Sequence, residues 1–190
     1  MATVIRVRSH PLRPILIGGA GAAVLLLSVG AAFLSKENGW AGSGQVAGLL
    51  LGAGLLEISA GTLRTHNRLL AVLSGGATSM AGLLLLAAPV EQFVPTIYVL
   101  IGWLVTRGVL LTIAGLAARG TLRIWTFVSA AMDSALGGIL LASLSAMTFP
   151  IWLFGPTPEM TMSFCAVLAL SFVVSGAYLI EVATTEQCQD

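Results

Sequence analysis

Glu57, Arg107 and Asp133 are the residues with the most chemistry to offer, because each interrupts a long apolar run. Arg107 is the only charged residue from Pro95 to Ala118. Glu57 stands equally alone within Gly44–Leu63, and Asp133 within Ile124–Ala146. A charge in hydrocarbon requires an opposite charge, a carbonyl or water. At about 1.5 Å of helical rise per residue, Arg107 lies about 16 Å from Ala118 and Asp133 about 14 Å from Ile124. Consecutive antiparallel helices would bring the two to nearly one depth. Glu57, about 9 Å from Leu63, stands within an arginine's reach of that level. The expectation is a buried Arg107–Asp133 pair with Glu57 as a second partner.

Two kinds of chemistry fit such a cluster. One is a neutral packing clasp between helices. The other is a proton or solute relay, which intramembrane carboxylates often mark. A relay needs groups across the whole membrane, and the half beyond Arg107 offers only Tyr98, Thr96 and Ser43. No Ser/His/Asp, Cys/His or paired-carboxylate arrangement with catalytic spacing is present. The chain is therefore expected not to be an enzyme, with no catalytic, cofactor or metal residues. His10 and His66 fall outside the apolar runs, where a haem ligand would normally sit. Cys165 and Cys188 lie far apart and imply no disulfide framework or metal spacing. Thr78, Ser79 and Ser134 are expected to bond their own helix or a neighbour.

The elements that must position these residues follow from composition. The 190 residues are 57% hydrophobic and 9% charged, with a mean hydropathy of +0.97. Soluble domains carry about 25% charged residues, so lipid is the expected solvent and the bilayer the first partner. The net charge of +1 argues against a nucleic-acid partner. Six apolar runs are each about long enough to cross a hydrocarbon core of about 30 Å. They are Pro14–Leu34, Gly44–Leu63, Leu69–Ala88, Val94–Ala118, Ile124–Ala146 and Met162–Val182. The first is longer than a cleaved signal segment and lacks a small-residue cleavage site, so it reads as a retained span. The fold class is all-α and polytopic. A cytoplasmic arm (1–13) precedes a six-span bundle (14–182), and a cytoplasmic tail (183–190) follows.

Arg6, Arg8, Arg13, Arg64, Arg68, Arg119 and Arg123 all fall on one side, and only Lys36 on the other. The positive-inside rule then puts both termini in the cytoplasm. Trp125, Trp40 and Trp152 fall at interfacial positions, whereas Trp103 lies deep enough to pack between helices. Met147–Thr161 holds Pro150, Pro156 and Pro158 among apolar residues, including Phe149, Trp152 and Phe154. It is expected to lie along the outer interface, interrupted by its prolines. It is also a candidate contact for a partner subunit.

The spans also repeat. LLAVLSGGATSMAGLLLLAAP (Leu69–Pro89) resembles IWTFVSAAMDSALGGILLAS (Ile124–Ser143), and the first span reads as a degenerate copy of both. The even spans carry Gly61 after EISA, Gly108 after LVTR and Gly176 after FVVS. The pattern suggests three helical hairpins packed through small residues, as lipid-embedded helices require. A small-residue span ending LLLLAAP, then a span with glycine beside a polar residue, resembles the HdeD-like acid-resistance membrane proteins of bacteria. The likeness is strongest over Leu69–Gly115 and weaker over Gly44–Ala146 and the sixth span. The proline-rich outer segment and the first span depart from the pattern. The resemblance implies six spans in the bacterial inner membrane and a link to acid stress, with no catalytic site to carry over. Three functions remain open: a stress-related membrane protein, an accessory subunit of a larger bioenergetic complex or a homo-oligomer, and a small transporter or channel.

Overall fold

A computed structural model describes residues 12–37, 43–64, 67–87, 93–154 and 158–187. Among these, the side chains of 34–37, 43, 93–95, 144–154 and 158–164 lie outside the description. The described chain is all helix, in the order α1 (Leu12–Glu37), α2 (Ser43–Leu63), α3 (Arg68–Ala87), α4 (Phe93–Ala117), α5 (Thr121–Phe154) and α6 (Pro158–Gln187). All six are long and apolar enough to cross a membrane. The protein is a six-span, all-α membrane protein. Its outward faces fit lipid: Leu26, Leu69 and Leu116 are 73%, 72% and 67% exposed. Ile17, Val24, Leu50, Leu85, Leu104, Leu168 and Phe172 form the apolar core inside.

The helices form a ring in chain order, but its seams are unequal. α2 with α3, α4 with α5, and α6 with α1 pack closely, while the alternating seams are looser. Each close pair meets at glycine. A Cβ on Gly54 would stand 2.8 Å from the carbonyl oxygen of Gly75. One on Gly176 would stand 2.8 Å from that of Gly21, and one on Gly108 would stand 2.9 Å from Ser134 Oγ. Two turns further along, Gly61 faces Ala71 and Val72, Gly115 faces the Phe127 ring, and Ala183 faces Gly18. The three pairs are thus built on one plan. Lipid gives helices no hydrophobic reason to associate, so close backbone approach supplies the contact energy.

This pairing differs from consecutive odd–even hairpins by one helix. The third unit joins the two ends of the chain, α6 followed in the ring by α1. The contacts also align Gly54, not Gly61, with Gly108 and Gly176. Small residues recur every turn or so in these apolar helices, so the sequence pattern leaves their register open by two turns. Close approach resolves it.

Two helix ends also depart from expectation. α5 continues through Pro150 to Phe154, so residues 147–154 are helical and not an irregular loop. Proline lacks an N–H and crowds the preceding turn, yet Pro150 sits only in the last turns of a long established helix. Pro158 opens α6, where its missing N–H removes no bond. Only the backbone of 144–154 and 158–164 is described, so the interfacial placement of Phe149, Trp152 and Phe154 lies outside the described residues. α6 runs past Val182 to Gln187, with Ala183 7% exposed against α1. The tail is mostly polar after Ala183 but contains no Gly or Pro to break a helix. Pro14 lies in the first turn of α1, as expected.

Candidate functional site

The end of the bundle carrying Arg64, Arg68, Arg119 and Arg123 holds the short α2–α3 and α4–α5 connections. Asn67 adopts φ 53° between α2 and α3, a left-handed value that asparagine tolerates. Its carbonyl accepts from the Ala71 N–H at 3.0 Å, and its side-chain amide donates to the Ala114 carbonyl at 3.3 Å. Gly120 (φ 62°) makes the equivalent turn between α4 and α5, and its carbonyl accepts from the Arg123 N–H at 3.1 Å. These short turns fix the relative heights of the helices they join, and so the depth of the buried charges above them.

The structure brings Glu57, Arg107 and Asp133 together at the centre of the ring. All three are buried, at 7%, 2% and 2% exposure. Arg107 Nη2 donates to Glu57 Oε1 at 2.7 Å and to Ser175 Oγ. Arg107 Nη1 donates to Ser171 Oγ at 3.0 Å and lies 3.4 Å from Asp133 Oδ2. Ser171 Oγ in turn donates to Asp133 Oδ1 at 2.8 Å. Glu57 is therefore the direct partner of Arg107, and Asp133 is held partly through Ser171. The sequence suggested the reverse order. Packing equivalence puts Arg107 level with Ala53 on α2, so Glu57 stands about one turn, roughly 6 Å, from that level. A long guanidinium side chain closes that gap readily.

A neutral chain extends the cluster. Trp103 Nε1 donates to Thr78 Oγ1 at 3.0 Å. Thr78 Oγ1 lies 3.3 Å from Glu57 Oε2 and 3.1 Å from the Ser74 carbonyl, and can donate its one proton to either. The Trp103 ring meets Phe172 edge-on at 6.5 Å, and the Arg107 guanidinium carbon lies 5.8 Å from the same ring. Trp103, 3% exposed, does pack between helices. Ser175 Oγ donates to the Ser171 carbonyl at 2.6 Å, which leaves its lone pairs free for Arg107. Ser171 and Ser175 were not legible as partners individually. Their signal was spacing: two hydroxyls one turn apart in an otherwise apolar helix.

The arrangement has a plain geometric meaning. Glu57 and Thr78 belong to the α2/α3 pair, and Trp103, Arg107 and Asp133 belong to α4/α5. Ser171, Ser175 and Phe172 belong to α6 of the third pair. Arg107 is thus a hub where all three pairs meet. A buried charge is very costly unless paired and hydrogen-bonded, and here both terminal nitrogens of Arg107 are engaged. Among the described residues, Arg107 Nε has no hydrogen-bond partner. Ser79 Oγ, also buried, has none either, whereas Thr78 joins the cluster.

A small cavity of about 30 Å³ runs from Glu57, Arg107 and Ser175 to Arg64, Asn67 and Tyr178. A cavity needs about 10–15 Å³ to hold one water, so this one has room for about two. It points to the arginine-bearing end. His10, His66 and Cys188 lie outside the described residues. Among the described residues, no group of three His, Cys, Asp or Glu side chains could hold a metal ion. Cys165 is buried and unpaired. No protein-family model, curated protein or solved structure matches the chain.

Proposed function

We propose that the chain is a non-enzymatic protein of the bacterial inner membrane, HdeD-like in type, that acts in envelope or acid stress. Its Arg107 cluster serves as the clasp that holds three helix pairs in one bundle. The observation that carries the clasp is the distribution of partners: the two carboxylates and two hydroxyls around one guanidinium come from all three pairs. The stress role rests on the resemblance over Leu69–Gly115. Both termini are cytoplasmic in this reading, because the alternation of the six spans assigns seven of the nine basic residues in the sequence to one side of the membrane. The test is survival. Cells deleted for the protein should die faster than their parents in acid and grow equally at neutral pH. An intact copy should restore survival, and one carrying Arg107→Gln should not. Equal survival of deleted and parent cells in acid would sink the stress role.

A second reading, transport, is favoured by one observation. The small cavity connects Glu57 and Arg107 with the arginine-bearing end, and two carboxylates, Glu57 and Asp133, share one guanidinium in the cluster. The cluster could therefore take up one further positive charge. Proton flux in liposomes carrying the protein, abolished by Glu57→Gln, would replace the clasp with a conduction path.

A further inference from the structure

Arg64 immediately follows α2 but does not project into solvent as an arginine at a helix end ordinarily would. It is only 9% exposed, and its guanidinium carbon sits 4.8 Å from the centre of the Tyr178 ring. Its Nη1 donates to the Tyr178 hydroxyl at 2.9 Å. Its Nε is buried and, among the described residues, unpartnered. Arginine carries five donors and no acceptor, and among the described residues the side-chain partner of this buried one is the neutral Tyr178 oxygen, with Nε left over. No carboxylate forms an ion pair with it among the described residues.

That same arginine lines a vestibule of about 510 Å³ at the arginine-bearing end. Ligand sites usually measure about 300–1,000 Å³. Asn67, Arg119, Tyr178, Thr185 and Glu186 line it with Arg64, so two guanidiniums face one carboxylate and the lining carries a net positive charge. Arg119 is exposed and reaches the vestibule from the α4–α5 turn, whereas Arg64 is fixed by Tyr178. The two arginines are thus a donor held by Tyr178 and a solvent-exposed one on a single concave surface.

We propose that this vestibule binds a phosphate-bearing anion, with Arg64 and Arg119 as its charged donors. Guanidinium matches phosphate oxygens with paired N–H donors. Basic pockets between membrane helices on the cytoplasmic side are suited to lipid headgroups. A phospholipid headgroup and a free phosphate present the same chemistry, and the source is separable by experiment. The site lies at the opposite end of the small cavity from the Arg107 cluster, and Arg64 and Tyr178 line both spaces.

The test uses the full chain in neutral detergent, with two probes. One is phosphatidylglycerol added to the micelles and read by native mass spectrometry. The other is radiolabelled inorganic phosphate read by equilibrium dialysis. Saturable retention of one molecule per chain is expected for at least one probe. Lipid alone identifies a headgroup site, and phosphate alone or both identifies a site open to soluble anions. Arg119→Gln should weaken retention about tenfold, the loss expected for one charge-assisted contact. Arg68→Gln, which removes an arginine from the same end but outside the vestibule, should leave it unchanged. Failure of both probes to bind at one per chain overturns the proposal, as does equal weakening by Arg68→Gln and Arg119→Gln.

Discussion

The contacts within the three helix pairs and the contacts between them rest on different physics. Within a pair, glycine lets two backbones touch, and the attraction is dispersion summed over many atoms. Between pairs, a single guanidinium gathers charged and polar groups at the centre of the ring. The glycine crossing occurs three times on one plan. The arginine hub occurs once, and the positions equivalent to Asp133 hold Thr78 on α3 and Val24 on α1. Repetition therefore builds the units, and the unique charge cluster decides how they assemble. A repeated apolar crossing cannot distinguish one pair from another, whereas a directional cluster can.

This contrast can be broken from either side, and the effects should differ in size. Removing the hub is the largest. Arg107→Gln leaves two carboxylates without their cation, and losing one member of a buried pair typically costs about 3–5 kcal/mol. Denaturation in mixed detergent micelles should show a loss of that order. Disturbing a crossing should come next. A Cβ on Gly75 would stand 2.7 Å from the Ile58 backbone nitrogen, so Gly75→Ala must push two backbones apart. Overpacking of this kind costs about 1–3 kcal/mol. Ser171→Ala removes the hydroxyl that donates to Asp133 and accepts from Arg107. An unmet buried polar group costs about 1–3 kcal/mol, and the other bonds to Arg107 place this change at the lower end. The smallest effect belongs to Gly76→Ala, which meets nothing within 4 Å. It should be neutral or stabilise by up to about 1 kcal/mol through helix propensity. The Gly75 and Gly76 pair sharpens the comparison, since neighbouring glycines of one helix should respond oppositely to the same substitution. Equal responses would mean that the crossing is not what holds the pair.

Six helices could be read from the sequence because about 20 apolar residues in a row have few alternatives to a membrane span. Glu57, Arg107 and Asp133 were legible for the same reason: a charge stands out where charge is expensive. What escaped depends on relative placement. Hydropathy detects the span but not the helix, so the extension of α5 through Pro150 and of α6 to Gln187 went unseen. Glycine spacing alone could not say which helix each glycine faced, so the α6/α1 pair was hidden by its position at opposite ends of the chain. Arg64 read as one more loop charge, because nothing local announces that Tyr178 lies beneath it. The nearer partner of Arg107 depended on how α2 and α4 are staggered, which neither helix specifies by itself.

The most direct test of the clasp is a double-mutant cycle on its shortest ion pair, Arg107 with Glu57. Stability of the wild type, Arg107→Gln, Glu57→Gln and the double variant would be measured in the same bilayer-mimicking micelles. The clasp predicts that each single change is strongly destabilising and that the double variant is less destabilised than the sum of the two. The coupling should be about 2 kcal/mol, within the range found for groups in one buried network. Additive losses, with no coupling beyond about 0.5 kcal/mol, would contradict it and leave the three pairs held together by packing alone.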